Sequence, residues 1–239
     1  MKLTLILPTI LTLLTPLTTA QSPSDDQGAS CGRRNTERYC AGTNYTTSLL
    51  KDYLCGDPRL GPTHLPHFSD DTPTARALAV AVSGYDRLGG LCPGAFLERW
   101  YDNEKASWVY PPQDGFVVAD PEGGPQAGRP GMPIKGNVTL AVETLLDRFG
   151  SEYGAFVSPA GAPYAQRALP PGNLVGGDQE YPYNYHIYSV VKPLVVSAGP
   201  IAGWFGQAGA GVQYKLYDRV NNLISQGYLR REDPSVLLA

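Results

Sequence analysis

The residues best suited to chemistry lie together in the second half of the chain, between positions 147 and 214. Arg148 and Arg167 stand there among glycines and prolines, in a chain whose net charge is −3. An arginine guanidinium is a planar fork of N–H donors that matches the oxygens of a phosphate. The two arginines therefore predict a site for a phosphorylated ligand.

Aromatic side chains and one glutamine accompany the arginines. Aromatic rings stack on planar bases and on cationic rings. The rings in this segment include Tyr153, Phe156, Tyr164, Trp204 and Phe205. Gln213 alternates with an apolar stripe of Val212, Tyr214 and Leu216, so we expect Gln213 to face away from the core and toward a cleft. Residue types alone thus indicate a site for a phosphorylated ligand that contains a ring.

Other catalytic motifs are incomplete. Gly209-Ala210-Gly211 begins like a dinucleotide fingerprint, but Tyr214 stands where its third glycine belongs. The nearest nucleophile elbow, around Ser83, has Ala81 in place of glycine. The histidines have no acidic companion at ligand spacing, so we expect turn residues rather than a metal site at His64, His67 and His186.

The elements that must position the site follow from periodicity. Apolar residues from Val138 to Phe149 recur at helical spacing, and Gly150 can end that helix. Short β-rich runs predict strands at 155–157, 185–191, 194–198 and 212–216. The tail, 223–231, reads as a short helix. This order predicts an α+β fold, with a small mixed or antiparallel β core and flanking helices.

The rest of the chain divides into three parts. Residues 1–20 have the charge, apolar run and small residues of a cleaved secretory signal. Residues 21–110 hold the cysteines and short helical runs at 75–82 and 96–101. Residues 111–136 carry twelve glycines or prolines, which predicts a surface connection without regular elements before a catalytic domain at 137–239.

The predicted secretory signal places the cysteines in an oxidising compartment. Four cysteines in an oxidising compartment predict two disulfides, formed by Cys31, Cys40, Cys55 and Cys92. Three pairings are possible, and the shortest total loops favour Cys31–Cys40 with Cys55–Cys92. Sequons at Asn44 and Asn137 predict glycosylation.

Composition excludes two classes of function. A net charge of −3 provides no basic field for a nucleic-acid backbone. After the N-terminal 20 residues, no apolar stretch is long enough to span a bilayer. We therefore expect a secreted protein without nucleic-acid partners.

The segment from about 138 to 231 resembles the TNT-type NAD glycohydrolases, the tuberculosis necrotizing toxin family, and most of all the secreted fungal NADases of the spore surface. Several motifs of that family occur in order: DRFG-SEYG-x-F-x-SP from 147, QRALPP from 166, GPIAGWFGQ-x-G-x-GVQY from 199, and GYL from 227. The cysteine-bearing region before residue 110 looks like the appendage of the fungal members.

The resemblance implies an enzyme that cleaves the nicotinamide–ribose bond of NAD⁺, and of NADP⁺, to give nicotinamide and ADP-ribose. It also implies roles for residues: Arg148 and Arg167 contact the phosphates, Phe156 borders the nicotinamide pocket, and Gln213 is the catalytic residue. Tyr153 and Trp204 are further candidates for ring stacking. Glu152 is the nearest acid, and it either assists catalysis or has a structural role.

Cofactors and partners follow from the same resemblance. Some fungal relatives hold calcium on acidic residues near the C-terminus, but Glu232 and Asp233 are too few for a six-oxygen shell, so we expect no required metal. A homodimer is implied. Two alternatives stay open: an ADP-ribosyltransferase toxin, and an inactive secreted binding module.

Overall fold

The computed structural model describes residues 31–66, 73–119, 131–176 and 181–238. The signal at residues 1–20 and His67 lie outside the described residues. The helices are α1 (Pro73–Ala81), α2 (Pro93–Trp100) and α3 (Val220–Ser225). The strands are β1 (Tyr101–Asp102), β2 (Ser107–Trp108), β3 (Val118–Ala119), β4 (Met132–Pro133), β5 (Gly136–Leu140), β6 (Leu145–Phe149), β7 (Phe156–Pro159), β8 (Tyr185–Val190), β9 (Leu194–Pro200), β10 (Val212–Lys215) and β11 (Leu229–Glu232).

The centre of the described fold is an antiparallel sheet. Its seven strands lie in the order β11-β8-β6-β7-β10-β9-β5, and every neighbouring pair is antiparallel. Helix α3 buries Val220 and Leu223 against apolar side chains of β6, β7 and β11. A second apolar cluster joins α1 to Phe149 and Tyr185 of the sheet. The expected α+β class with an antiparallel core is confirmed.

The helix predicted from Val138 to Phe149 is wrong. The segment forms two strands, β5 and β6, joined by a turn in which Glu143 has φ of 68°. Strand β6 lies inside the sheet and buries Leu146, Asp147 and Phe149. A strand covered on both faces loses the simple alternation of period two, and its apolar residues then mimic helical spacing.

The predicted tail helix is correct only in its first part. Helix α3 ends at Ser225, Gly227 takes φ of 70°, and the chain continues as β11 beside β8. The strands expected at 185–191, 194–198 and 212–216 are confirmed as β8, β9 and β10. Helices α1 and α2 match the helical runs expected at 75–82 and 96–101.

The connection at 111–136 contains regular elements, contrary to expectation. Residues 113–115 form a 3₁₀ turn, and β3 pairs with β4. Phe116 is 0% exposed and bridges Ile201, and the N–H of Val117 donates to the carbonyl of Pro200. The high glycine and proline content therefore does not keep this segment off the core, because its main chain bonds to the end of β9.

The disulfides join Cys31 to Cys92 and Cys40 to Cys55, so the expected pairing is wrong. The argument from the shortest loops considers only the entropy of the unfolded chain. In the folded protein, local hydrogen bonds determine which cysteines come into contact. The N–H of Cys55 donates to Asn35 Oδ1, and its carbonyl accepts from the N–H of Thr46. These bonds fold 35–55 back on itself and bring Cys55 to Cys40.

The N-terminal region packs directly on the segment that bears the site motifs. Phe205 is 0% exposed within a cluster that includes Phe96, Leu54 and Leu88. Gln207 Nε2 donates to the carbonyl of Asp86. The disulfide-bearing region and the sheet thus share an apolar core.

Candidate functional site

A narrow cleft opens where β6, β7 and β10 lie side by side in the sheet. Strands β6 and β7 supply Arg148 and Phe156, and β10 supplies Gln213. Leu169 and Ile201 complete the apolar wall. Arg167 also lines the cleft. The cleft therefore brings together four of the residues singled out from the sequence, which are separated by up to 65 positions along the chain.

Arg148 lies under the loop that joins β6 to β7. Its Nε donates to the carbonyl of Ser151 at 2.7 Å and its Nη1 to the carbonyl of Phe156 at 2.7 Å. Among the described residues, the Arg148 side chain thus donates to neutral carbonyl oxygens and forms no ion pair with a carboxylate. Burial lowers the pKa of Arg148, because a desolvated cation without a counter-ion is disfavoured. Such a group attracts an anion to the cleft.

The loop above Arg148 is held in place by α3. The main-chain N–H groups of Val220 and Asn221 donate to the carbonyls of Gly154 and Glu152. Gly154 leaves room for the guanidinium, since a Cβ at this position would lie 2.0 Å from Arg148 Nη2. The glycine of the SEYG motif is therefore explained by the close approach of the arginine.

Gln213 is 9% exposed, while Val212 beside it is 42% exposed. The expectation that Val212 belongs to the core stripe is therefore wrong, although Tyr214 and Leu216 do pack in the apolar cluster of the sheet. Gln213 lies on the other face of the strand from Tyr214, but little of it is exposed. Gln213 nevertheless lines the cleft. Its Nε2 donates to the main-chain carbonyl of Asp114 at 2.8 Å, which leaves Oε1 as an acceptor.

Arg167 does not match its expected role as a phosphate contact. It is 5% exposed, and its Nη1 and Nη2 donate to the two carboxylate oxygens of Asp147 at 2.5 and 2.8 Å. Nε and Nη2 also donate to the carbonyl of Ala162. Four of its five N–H groups are thereby engaged, and its charge is neutralised by Asp147, which lines the cleft with it.

The aromatic candidates separate into two groups. Phe156 lines the cleft, and Tyr153 is 69% exposed on the loop above Arg148. Trp204 packs against Trp100 at a ring distance of 5.2 Å and donates from Nε1 to the carbonyl of Val109. The ring of Trp204 thus packs with the apolar cluster around Phe205, and its stacking on a ligand stays a prediction. Tyr164 and Phe205 are fully buried and also belong to the core.

Glu152 is tied into the structure by several donors. Tyr188 donates its hydroxyl, and Arg231 donates Nε at 2.8 Å and Nη2 at 2.5 Å. Burial raises the pKa of Glu152, but the hydrogen bonds from Arg231 and Tyr188 outweigh it and hold that pKa below its usual value. These contacts favour the structural role for this carboxylate.

Two residues at the site were not found from the sequence. Tyr110 is 55% exposed and interacts electrostatically with Arg148. Asp114 accepts from Gln213 through its main chain. Both lie at the edge of the glycine- and proline-rich connection, where no periodicity marks a buried face. The Asp114-Gly115 dipeptide is a turn signal, but it does not say what the turn contacts.

Metal ligands do not gather in the described ranges. There, no group of three or more histidines, cysteines, aspartates and glutamates could hold an ion. Glu232 accepts from Ser189 and Arg230, and Asp233 accepts from the N–H of Ser235. The two tail carboxylates therefore already have protein donors, which does not fit a calcium shell. Across the same ranges, no helix has the length and apolar character needed to cross a bilayer.

Comparison with known proteins identifies the family. The profile of the family described as "Tuberculosis necrotizing toxin" (TNT) matches residues 139–231. A conidial surface nicotinamide adenine dinucleotide glycohydrolase, nadA of Aspergillus fumigatus, is 46% identical over 198 residues, which are 82% of this chain and 76% of the relative. The chain belongs to the TNT family. Arg148, Phe156 and Gln213 lie within the TNT-matched segment, whereas Tyr110 and Asp114 precede it.

Solved structures give more distant matches to this TNT protein. Tuberculosis necrotizing toxin complexed with its immunity factor IFT matches with a TM-score of 0.47 and 20% identity, over 71% of this chain and 92% of the toxin chain. Rhs1-CT in complex with its cognate immunity protein RhsI1 matches with a TM-score of 0.27 and 16% identity, over 41% of this chain and 77% of that chain.

Proposed function

We propose that this protein is a secreted NAD⁺ glycohydrolase. It cleaves the bond between nicotinamide N1 and ribose C1′ of NAD⁺ with water, and it yields nicotinamide, ADP-ribose and a proton. The observation that carries the proposal is the cleft that contains both Arg148, whose hydrogen bonds go to main-chain carbonyls, and the neutral amide of Gln213. The name of the Aspergillus relative, a nicotinamide adenine dinucleotide glycohydrolase, supports the same reaction.

Arg148 binds the diphosphate in this proposal. Its guanidinium is aligned by two carbonyl acceptors, so little side-chain entropy is lost when a phosphate arrives. A phosphate brings the negative charge that the buried arginine lacks among its hydrogen-bond partners. When the diphosphate is fixed, the ribose is oriented against the opposite wall of the cleft. Binding of the diphosphate therefore also positions the bond that is cleaved.

Gln213 acts beside the ribose. Loss of nicotinamide builds positive charge on C1′ and the ring oxygen, as in other glycosyl transfers. The free Oε1 of Gln213 accepts from a ribose hydroxyl or from the attacking water and turns its dipole toward that charge. Nicotinamide leaves as a neutral molecule and needs no proton, so a neutral amide suffices where other glycosidases use a general acid.

Phe156 gives the nicotinamide ring a flat apolar neighbour. It lies at the start of β7, and its ring also contacts Lys215, whose Nζ is 5.9 Å from the ring centroid. Tyr153, exposed on the adjacent loop, supplies a second ring at the mouth of the cleft. An aromatic face is well suited to a planar cation.

An ADP-ribosyltransferase is the weaker alternative. Transfer to a protein would be helped by a free carboxylate near the scissile bond, but the neighbouring acids are occupied. Asp147 is paired with Arg167, and Glu152 is paired with Arg231. Water is therefore the proposed acceptor of the ribosyl group.

Further properties of the protein are proposed on the same basis. Residues 1–20 direct export, residues 21–110 form the disulfide-bonded appendage, and 137–239 form the catalytic domain. Two disulfides are expected of an extracellular protein. Asn44 and Asn137 are exposed and suit N-glycosylation. NADP⁺ is proposed as a second substrate and a homodimer as the assembly.

Hydrolysis is proposed to need no metal. Glu232 Oε1 and Asp233 Oδ1 already accept from protein donors, and the chemistry above requires no Lewis acid. Activity on NAD⁺ should therefore be unchanged after dialysis against EDTA. Loss of activity in EDTA that calcium restores would contradict this proposal.

A fluorescent analogue of NAD⁺ tests the proposed function. Ethenoadenine NAD⁺ becomes brighter when the nicotinamide is released, so wild-type protein should give a fluorescence increase that is linear in enzyme concentration. Addition of a mixture of acceptor proteins with radiolabelled NAD⁺ distinguishes the alternatives. Label that stays in free ADP-ribose supports hydrolysis, whereas label attached to protein would identify a transferase, and no release at all would indicate a binding module.

A further inference from the structure

The 3₁₀ turn Gln113–Gly115 lies outside the TNT-matched segment and yet touches Gln213. We propose that Asp114 is a positioning residue, which orients the carboxamide of Gln213 through its main-chain carbonyl and is itself held by Lys215 and Lys135. This inference rests on the proposed function, since it explains how the catalytic amide is aimed. It makes a segment outside the TNT-matched residues part of the active site.

The hydrogen bond between these residues fixes which end of the amide faces the cleft. A main-chain carbonyl only accepts, so the group of Gln213 that meets Asp114 must be its NH₂. The distance from Nε2 to the Asp114 oxygen is 2.8 Å. Oε1 does not bond to this carbonyl, so it remains an acceptor, and the proposal places it beside the ribose. Without this carbonyl, rotation of the carboxamide by 180° would present donors where an acceptor is needed.

The turn that provides the carbonyl has an unusual backbone. Gln113 and Asp114 have φ of 54° and 61°, which is the left-handed region, and Gly115 follows with φ of 78°. Left-handed φ is unfavourable for most residues with a side chain. The conformation therefore needs support from outside the turn.

Two lysines give that support. Lys215 Nζ lies 2.8 Å and Lys135 Nζ 3.4 Å from Asp114 Oδ2. Lys215 is two residues after Gln213 on β10, so one strand face carries both the catalytic amide and the cation that holds its partner. The bond from the N–H of Ala202 to the carbonyl of Gly115 anchors the end of the turn. Asp114 is thus fixed from β10, from the segment before β5 and from the chain after β9.

The proposal predicts a change in kcat with little change in KM. Arg148 would still bind the diphosphate when Asp114 is altered, because Arg148 is held by Ser151 and Phe156. The Asp114→Ala enzyme should lose about 10-fold in kcat on NAD⁺, on the scale of a weakened preorganised polar group. Asp114→Asn should lose less, since asparagine tolerates left-handed φ and keeps an oxygen for Lys215.

A double-substitution cycle separates positioning from a general structural effect. If Asp114 acts through Gln213, adding Asp114→Ala to the Gln213→Ala enzyme should change kcat by less than about twofold, because coupled residues are not additive. Asp102→Ala is the matched control. It removes another aspartate–lysine pair, between Asp102 and Lys105 at 2.7 Å in the β1–β2 hairpin, and should leave kcat unchanged.

The outcomes are distinct. A selective loss of kcat in Asp114→Ala, partial recovery in Asp114→Asn and no further loss in the double variant support the proposal, with melting temperatures recorded for each. Normal kcat in Asp114→Ala, or a full additional loss in the Gln213→Ala background, would overturn it while leaving the proposed function intact. Absence of nicotinamide release by the wild-type protein would instead overturn the proposed function, and the inference with it.

Discussion

Arg167 and Asp147 form a two-point ion pair in the wall of the cleft, with Nη1–Oδ1 at 2.5 Å and Nη2–Oδ2 at 2.8 Å. Both side chains are buried, and Asp147 also accepts from the Tyr185 hydroxyl and the N–H of Gly161. The pair holds β6 to the QRALPP segment. An arginine that lies in a family motif can therefore have a structural role instead of binding the ligand.

Arg167→Met should destabilise the protein strongly. Removing one member of a buried pair leaves the other charge uncompensated, which costs roughly 3–5 kcal/mol. Urea unfolding measures the change. Arg230→Met is the control, because its exposed pair with Glu232 is screened by solvent and is expected to contribute little to stability. Unchanged stability with a raised KM would show instead that Arg167 serves the substrate.

Gly154→Ala should raise KM for NAD⁺ without removing any charge. The added Cβ would lie 2.0 Å from Arg148 Nη2 and 2.3 Å from its Cζ, so the guanidinium must leave its place. We expect an increase in KM of about tenfold, the scale of one charged hydrogen bond. Gly136→Ala is the control, since a Cβ there meets no atom within 4 Å. Equal KM values for both variants would argue against Arg148 as the diphosphate contact.

Peptide mapping of non-reduced protein should find Cys31 linked to Cys92 and Cys40 linked to Cys55. The chain-entropy model assigns roughly 4 kcal/mol to the bond with a separation of 61 residues and roughly 3 kcal/mol to the one with 15. Reduction should therefore lower the melting temperature. Peptides that join Cys31 to Cys40 would contradict the fold of the N-terminal region.

Prediction from the sequence succeeded for strands whose boundaries are marked by the local sequence. Strands β8 and β9 are β-rich runs separated by Pro193, and this punctuation is visible in the chain. It failed at β6, because a strand covered on both faces has no polar side to set its period. It also failed for Val212, which was expected in the core stripe of β10 but is 42% exposed.

The site shows the same limit. The family motifs led to Arg148, Phe156, Arg167 and Gln213, and all four line the cleft. They could not distinguish Arg148 from Arg167, because the difference lies in long-range partners: carbonyls for one and Asp147 for the other. Asp114 was missed because its contact with Gln213 spans 99 positions and uses only its main chain.

Steady-state kinetics of Gln213→Ala test the central claim, which is that a neutral amide drives cleavage of NAD⁺ in this cleft. Nicotinamide and ADP-ribose released by the wild-type and Gln213→Ala proteins would be separated and quantified, with circular dichroism to compare their folds. The account predicts equal amounts of both products from the wild type. For the folded variant it predicts a kcat lower by about 10²-fold, on the order of 3 kcal/mol, with KM little changed. A folded Gln213→Ala enzyme with near-normal kcat would contradict the account and return Glu152 as the candidate.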